Sequence, residues 1–229
     1  MELHTREAAE HVRRMTIKMA ELVKEAVAAS IRAFLDLDSR RGQEVIEKDG
    51  EINTLEMKID QAIFECLALK APVAGDLRLL FSMQKVNKDL ERIGDHAVNI
   101  AQAAIKCANC GKPVSSPDIQ VMVSITHDML FDAVRCFISG DVRLALKVLE
   151  RDDQVDELNR DMNREVMDLV KQDITSIEVA LELLRVSKNL ERIADLSTNI
   201  AEDVIFQTRA LDVKHNHTEN LTPEENTVP

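Results

Sequence analysis

The sequence has no tryptophan or tyrosine, and it has few of the residues that form tight turns or disulfide bonds. Only 6 of its 229 residues are glycine and 5 are proline, which argues against a turn-rich β-sandwich or β-barrel. Its 4 cysteines are too few for a disulfide framework. No apolar run approaches the roughly 18 residues that a membrane-spanning helix requires. These absences favour a helical protein with reduced thiols.

The charge balance points away from nucleic acids. The formal net charge is −12, whereas binding to a phosphate backbone depends on an excess of Lys and Arg. The start of the sequence, Met1-Glu2-Leu3, lacks the basic and apolar regions of a signal peptide. We therefore expect a cytoplasmic protein that binds no nucleic acid and approaches a membrane only through its partners.

Two segments 100 residues apart have closely similar sequences. Residues 85–102 read KVNKDLERIGDHAVNIAQ and residues 185–202 read RVSKNLERIADLSTNIAE, so ten of the eighteen positions are identical. A weaker repeat upstream, at an offset of 103, aligns VIEKDGEINTLEMKID (45–60) with VLERDDQVDELNRDMN (148–163). The repeat length indicates a duplicated domain of about 100 residues rather than a solenoid of short repeats.

Hydrophobic residues recur at helical spacing in both copies. Within residues 86–104 the apolar positions follow steps of four, three, four, three and four, which traces one face of a helix. Gly140, in Ser139-Gly140-Asp141, is predicted to end one helix before the next begins. The six predicted helices are 3–37, 40–69, 74–106, 116–139, 141–171 and 175–209.

Short turns between long helices force neighbouring helices to run antiparallel. We therefore predict an all-α fold of two tandem three-helix bundles, rods whose helices of ~30 residues are each ~45 Å long. The first bundle is assigned to residues 1–108, a linker containing Pro and Gly to 109–117, and the second bundle to 118–210. Residues 211–229 are largely polar and aperiodic, and we predict that they form a disordered tail.

Each of the best-matched segments carries a Glu and an Asp four residues apart. Glu91 and Asp95 in the first copy correspond to Glu191 and Asp195 in the second. This spacing places both carboxylates on one face of a helix, and the heptad pattern puts that face opposite the apolar seam. The second helix of each copy carries a related pair, Asp49 and Asn53 in copy one and Asp152 and Asp156 in copy two.

Two interpretations of these carboxylates remain open. An outward charged face is usually solvated, and local ion pairs such as Lys88–Glu91 contribute only about 0.2–0.5 kcal/mol each. However, like charges at this spacing repel each other, and the outward residues match between the copies as well as the inward ones. If the two carboxylate helices of a bundle are adjacent, three or four carboxylates would line one groove. Such oxygen-rich groups bind cations such as Mg, Mn, Fe or Zn.

Residues 90–101 (LERIGDHAVNIA) and 190–201 (LERIADLSTNIA) resemble the signature helices of the PhoU family of phosphate-transport regulators. The upstream VIEKDGEINTLEMKID, Pro72 and Asp76-Leu77-Arg78 are similar as well. The resemblance implies tandem three-helix bundles, like the helical rods of spectrin repeats, and negative regulation of the phosphate-starvation response. It also implies an adaptor between the ATPase of the phosphate ABC transporter and a sensor histidine kinase, and a homodimer or higher homo-oligomer.

The resemblance further implies metal clusters on E/D-x-x-x-D motifs at the bundle surface. Asn53 stands where the motif has Asp and offers a neutral amide oxygen, and Leu196 stands where the first copy has His96. We expect the first site to be weaker or to differ in metal content, unless His96 compensates. The candidate ions are Fe, Zn, Mn and Mg. By position, the implied ligands are Asp49, Asn53, Glu91, Asp95, Asp152, Asp156, Glu191 and Asp195.

Other candidate sites are less well supported by the sequence. Cys107 and Cys110 resemble half of a zinc knuckle, but a structural zinc site needs four ligands. Cys66 and Cys136 fall on apolar stripes and are predicted to lie in the core. A ferritin-like di-iron site requires Glu-x-x-His on two helices, and this spacing does not occur in the sequence.

The sequence therefore predicts a helical adaptor of the phosphate-starvation response that is not an enzyme. In this hypothesis the cations organise a docking surface and perform no chemistry. Two alternatives remain, an accessory subunit of a phosphate permease without a transcriptional role and a metal-storage or metal-buffering protein.

Overall fold

Seven helices form the described part of the chain in a computed structural model. The structure describes residues 2–70, 72, 74–110, 116–172, 177–211 and 213, and no strand occurs among them. The predicted all-α fold is confirmed. The helices are α1 (Glu2–Asp36), α2 (Ser39–Lys70), α3 (Ala74–Cys110), α4 (Pro117–Ser139), α5 (Val142–Leu149), α6 (Asp152–Gln172) and α7 (Ile177–Arg209).

Local interactions at the chain reversals explain where the helices end. Leu37 adopts a left-handed conformation (φ 52°), and the next residue, Asp38, accepts a hydrogen bond of 3.0 Å from the backbone N–H of Arg41. This arrangement stops α1 and caps α2. Gly140 is also left-handed (φ 71°), and its N–H donates to the carbonyl oxygen of Cys136, as predicted for the end of α4.

The fifth predicted helix, 141–171, is interrupted in the structure. α5 ends at Leu149 and α6 begins at Asp152, with a turn at residues 150–151. The guanidinium of Arg151 lies 2.9 Å from Oδ2 of Asp132 on α4. The backbone N–H of Arg151 donates a hydrogen bond to Val148 O. The prediction of one continuous helix is wrong, because hydrogen bonds that span three residues, from Arg151 N to Val148 O and from Gln154 N to Arg151 O, interrupt the helical pattern without any Gly or Pro.

The first bundle contains α1, α2 and α3, and the second contains α4, α5–α6 and α7. The apolar stripes face inward, and Met19, Met83, Met122 and Met129 are fully buried. Gly42 brings α2 close to α3, since a Cβ atom there would lie 3.0 Å from both Ala101 O and Ile105 Cγ1. Leaving out a side chain at this position lets the two helices pack closely near the start of α2.

The bundles pack against each other through α3 and α7, which run antiparallel. Lys85 near the start of α3 contacts Asp203 near the end of α7, and Lys106 near the end of α3 contacts Glu182 near the start of α7. Since α3 and α7 are equivalent helices of the two copies, an approximate twofold axis relates the bundles. α1 and α4 extend the interface, where Nη2 of Arg13 donates to Ile138 O at 2.6 Å.

The packed chain continues beyond the last helix. Val213 is buried in the hydrophobic core, so packing extends past residue 210, where the second bundle was predicted to end. Most of the predicted tail, residues 214–229, and most of the predicted linker, residues 111–115, lie outside the described residues.

Candidate functional site

The antiparallel packing of α2 on α3 brings the predicted carboxylates of the first copy together. Ile52 of α2 packs over Gly94 of α3, where an added Cβ would meet two Ile52 atoms at 3.4 Å. Oδ1 of Asp49 lies 3.6 Å from the same Cβ position, and Gly94 directly precedes Asp95 in the chain. Gly94 therefore leaves room for a carboxylate of α2 to approach α3.

The electrostatics of Asp95 show that it faces other carboxylates. Burial raises the pKa of Asp95 above its usual value of 3.8, and the negative charges of Glu91 and Asp49 raise it further. His96 and Lys88 act in the opposite direction. Two helices thus contribute like charges that act on Asp95.

Asn53 and Asp49 interact directly within α2. Nδ2 of Asn53 donates a hydrogen bond of 2.8 Å to Oδ2 of Asp49. The other oxygen, Oδ1, is buried and accepts no hydrogen bond from the described residues. A buried carboxylate oxygen without a donor is costly, and a cation would relieve that cost.

The row of acidic residues on α2 is longer than the sequence analysis proposed. Glu56 faces Glu91, and Nζ of Lys88 lies 3.9 Å from Oε1 of Glu56 and 3.0 Å from Oε2 of Glu91. Burial raises the pKa of Glu56, and nearby Asp60 and Glu91 raise it further despite Lys88. Oδ1 of Asp60 accepts hydrogen bonds from Gln84 and Asn87 of α3.

Glu56 and Asp60 were missed although they have the same i, i+4 spacing as Glu91 and Asp95. They are not shared by the two copies, because the second copy has Asn159 and Asn163 at the equivalent positions. Their i, i+4 spacing within one helix is the signal that identifies them.

The second copy repeats the arrangement between α6 and α7. Burial raises the pKa of Asp195, and the negative charges of Glu191 and Asp156 raise it further. Arg192 opposes this shift through an interaction of 3.0 Å with Asp195. Oε2 of Glu191 is buried and accepts no hydrogen bond from the described residues. Oδ1 of Asp152, in the first turn of α6, is also buried.

The carboxylates lie at the edge of the helix–helix seam rather than fully outward. The side chain of Glu91 is 21% exposed and that of Glu191 is 13% exposed. Other residues of the matched segments turn towards the second bundle. Oδ1 of Asn99 accepts a hydrogen bond of 3.0 Å from Arg185, and Nδ1 of His96 lies 2.8 Å from Oδ1 of Asn189.

The candidate ligands are carboxylate and amide oxygens from two helices, and these are the atom types that hard or borderline cations prefer. Among the described residues, however, no three His, Cys, Asp or Glu side chains converge in an arrangement ready to hold a metal ion. Lys88 and Lys188 each contact the glutamate three residues further along the chain. Cation binding therefore requires these side chains to reorient.

The cysteines do not form a second candidate centre. Cys66 and Cys136 are buried in the core, as predicted, and burial raises the pKa of Cys136 to about 12. Cys107 is also buried, and burial raises its pKa to about 11. Sγ of the exposed Cys110 lies 3.5 Å from Oε2 of Glu178 on α7.

Within the described ranges, none of the helices is long and apolar enough to cross a membrane.

Comparison with known proteins gives a consistent result over most of the chain. The sequence model of the PhoU domain matches twice, at residues 16–104 and 119–204. A phosphate-specific transport system accessory protein PhoU homolog of Aquifex aeolicus is 40% identical over 91% of this chain and 94% of its own length. The homolog of the same name from Pseudomonas aeruginosa is 36% identical over 90% of this chain and 86% of its own length.

Solved structures share the fold. The crystal structure of PhoU from Pseudomonas aeruginosa superposes with a TM-score of 0.87 at 35% identity, over 90% of this chain and 99% of that one. The phosphate transport system regulatory protein PhoU from Streptococcus pneumoniae gives a TM-score of 0.83 at 26% identity, over 91% of this chain and 99% of that one. The two domain matches agree with the internal duplication deduced from the sequence.

Proposed function

Because this chain belongs to the PhoU family, a family of accessory proteins rather than enzymes, we propose that it negatively regulates phosphate uptake and the phosphate-starvation response. In this role it is a cytoplasmic adaptor between the ATPase of a phosphate ABC transporter and a sensor histidine kinase, and it acts as a homodimer or higher homo-oligomer. The support comes from relatives named as accessory proteins of phosphate-specific transport.

The observation that carries a binding role for the bundle surface is the pair of carboxylate rows. In each copy, one aspartate (Asp95 or Asp195) has a pKa raised first by burial and then by carboxylates of its own helix and of the neighbouring helix. We propose that a divalent or trivalent cation, Fe, Zn, Mn or Mg, binds at each row. Its ligands would be Asp49, Asn53, Glu91 and Asp95 in the first copy, and Asp152, Asp156, Glu191 and Asp195 in the second.

A bound cation would supply positive charge and fix the relative orientation of two helices. Lys88 and Lys188 partly neutralise the rows without it. The carboxylates hold the cation, and Asn53 contributes a neutral oxygen in the first copy. In this proposal the cation shapes a docking surface and takes part in no reaction.

Metal analysis tests the cation sites. We expect Glu91→Ala/Asp95→Ala to lose the metal of the first copy and Glu191→Ala/Asp195→Ala to lose that of the second, as measured by inductively coupled plasma mass spectrometry. Glu47→Ala/Glu51→Ala is the matched control, because these exposed residues have the same spacing on another face of α2. Unchanged metal content in the first two variants would contradict the cation proposal.

Gene deletion tests the regulatory role. In phosphate-rich medium, we expect deletion to switch on phosphate-starvation genes. If these genes stay silent while phosphate uptake changes, the chain is a permease accessory subunit without a transcriptional role.

Reversible metal loading in large stoichiometric amounts would instead favour storage. Partner binding that is unchanged in metal-depleted protein would contradict the docking role of the cations.

A further inference from the structure

Exposed apolar side chains occur near the tip of each carboxylate-bearing helix pair, at the end of one helix and the start of the next. In the first copy Phe64 is 72% exposed and Phe81 is 56% exposed, and Leu67 and Leu77 are exposed beside them along the chain. The second copy has Met167, Ile177 and Leu181 exposed at the positions equivalent to Phe64, Leu77 and Phe81. Duplication therefore left apolar side chains at the same surface positions in both copies.

The apolar tip of the first copy continues the acidic row. Along α2 the positions 49, 53, 56, 60, 64 and 67 follow steps of three or four residues, so Phe64 and Leu67 share a stripe with Glu56 and Asp60. Along α3, Leu77 lies on the stripe of Gln84, which bonds Asp60. The outward face of the α2–α3 hairpin is thus apolar at its tip and acidic further along.

We propose that this face is a docking groove for an amphipathic helix of a partner protein, one that carries large apolar side chains at one end and Lys or Arg at the other. Contiguous exposed apolar patches mark interaction sites, and helix-in-groove recognition uses apolar anchors at helical spacing. Phe64 and Glu56 are eight residues apart on α2, which is about 12 Å along the helix axis. The basic residues of the partner therefore lie about two turns from its apolar anchors.

Charge selects this occupant over the alternatives. A second copy would bring an identical acidic row against the first, in a chain of net charge −12. An anionic lipid surface would likewise be repelled by the carboxylates beside the apolar tip. Lys88 already lies 3.9 Å from Glu56, and Lys85 lies over the ring of Phe81. A basic helix adds positive charge at Glu56 and Asp60 while its apolar side chains cover Phe64 and the exposed part of Phe81.

The second copy provides a natural contrast. It retains exposed apolar residues at three of the four positions, but Asn159 and Asn163 stand where the first copy has Glu56 and Asp60. At these two stripe positions the copies differ in charge, and the first copy is the tighter site for a basic helix. This inference rests on the proposed adaptor role only because it requires a protein partner.

Peptide binding to the full chain tests the proposal. The probe is a fluorescent helical peptide of 18 residues with Leu and Phe anchors two turns from a Lys cluster, and its control has Glu in place of Lys. We expect the basic peptide to bind at least tenfold more tightly than the acidic one. Glu56→Asn/Asp60→Asn, which installs the residues of the second copy, should reduce that preference at least fivefold.

Substitutions at the tip test the apolar part of the groove. We expect Phe64→Ser/Phe81→Ser to weaken basic-peptide binding at least tenfold, and Met167→Ser/Leu181→Ser to weaken it less than threefold. All four positions are exposed, but Lys85 lies over the ring of Phe81, so circular dichroism and urea unfolding verify that the variants keep their fold and stability. Unchanged binding by Phe64→Ser/Phe81→Ser, or equal binding of the two peptides by the wild type, would overturn the proposal.

The remaining occupants are distinguished by two further measurements. Self-association in sedimentation velocity that disappears with Phe64→Ser/Phe81→Ser would assign the face to a second copy and overturn the proposal. If the wild type binds phosphatidylglycerol vesicles and Phe64→Ser/Phe81→Ser does not, the face binds lipid, and the proposal is likewise overturned. The regulatory role is judged separately by gene deletion, so failure of the groove leaves that proposal standing.

Discussion

Nζ of Lys85 on α3 lies 3.0 Å from Oδ1 of Asp203 on α7, and this ion pair joins the two bundles at the opposite end of α3 from Lys106–Glu182. The side chain of Asp203 is only 3% exposed, whereas that of Lys85 is 33% exposed. Lys85 also lies over the rings of Phe81 and Phe206, 5.4 and 5.3 Å from their centroids. A buried carboxylate at an interface therefore depends on a lysine from the other bundle.

Replacing Lys85 with Met should destabilise the protein by about 2–3 kcal/mol, because it leaves the buried charge of Asp203 without this lysine. Urea unfolding at neutral pH measures the effect. The double variant Lys85→Met/Asp203→Ala should recover most of the loss, since Ala103 stands at the equivalent position in the first copy. The exposed Lys171→Met should cost less than about 1 kcal/mol. If Lys85→Met costs no more than Lys171→Met, the pair contributes little to docking of the bundles.

Gly42→Ala should destabilise the first bundle by about 1–3 kcal/mol, because the new methyl group would press on the α3 backbone at Ala101 O. Gly50→Ala is the matched control on the same helix, since a Cβ there meets nothing within 4 Å. That substitution should instead stabilise the protein by about 0.5–1 kcal/mol through helix propensity. Thermal and urea unfolding measure both, and equal signs for the two variants would contradict close packing at Gly42.

Asp95→Asn should change how stability depends on pH. The pKa of Asp95 is about 3.8 in the unfolded chain and is raised in the folded protein. At pH values between the unfolded-state pKa and the folded-state pKa, the folded protein therefore binds more protons than the unfolded chain. The contribution of Asp95 to stability therefore falls as pH rises through this interval. After chelator treatment, we expect the variant to match the wild type below pH 3.8 and to be more stable at neutral pH.

Urea unfolding at a series of pH values measures this difference between variant and wild type. The control is Asp168→Asn, an exposed aspartate paired with Lys171, whose effect should remain within about 1 kcal/mol at every pH. An Asp95→Asn variant that is less stable than the wild type at neutral pH would show that Asp95 is not repelled by Glu91 and Asp49.

Asn53→Asp should tighten cation binding at the first copy by adding the carboxylate that the second copy has at Asp156. Without a cation the variant should be less stable, because Asp49 loses the hydrogen bond from Asn53 and gains a like charge. Titration calorimetry with Mn²⁺ measures the affinity. The reciprocal Asp156→Asn should weaken the second site, and affinities unaffected by either substitution would contradict coordination by this position.

Sequence periodicity could predict the long helices because their apolar stripes are regular over many turns. It could not predict the break before Asp152, since neither Gly nor Pro marks residues 150–151 and hydrogen bonds that span three residues replace the helical pattern there. The fold thus follows from local patterns wherever the helical hydrogen bonds continue. The exception is this turn, where Arg151 also contacts Asp132 of α4.

For the candidate site, spacing could place Glu91 and Asp95 on one face, and duplication could suggest that the face has a role. Spacing could not show that Glu56 lies opposite Glu91, because the register between two helices depends on packing at Gly42 and Gly94. Nor could it show that Asn99 turns towards Arg185 of the other bundle. Such contacts depend on which outward face the second bundle covers.

The antiparallel junction of α3 and α7 makes this chain a fused version of a symmetric dimer. In a dimer of identical single copies, every contact across the axis would have to occur twice. Covalent fusion removed that constraint, so Lys85 meets Asp203 at one end while Arg185 meets Asn99 and Gln102 at the other. The two halves were therefore free to evolve separately. Because one polypeptide joins them, the effective concentration of each bundle near the other does not fall when the protein is diluted.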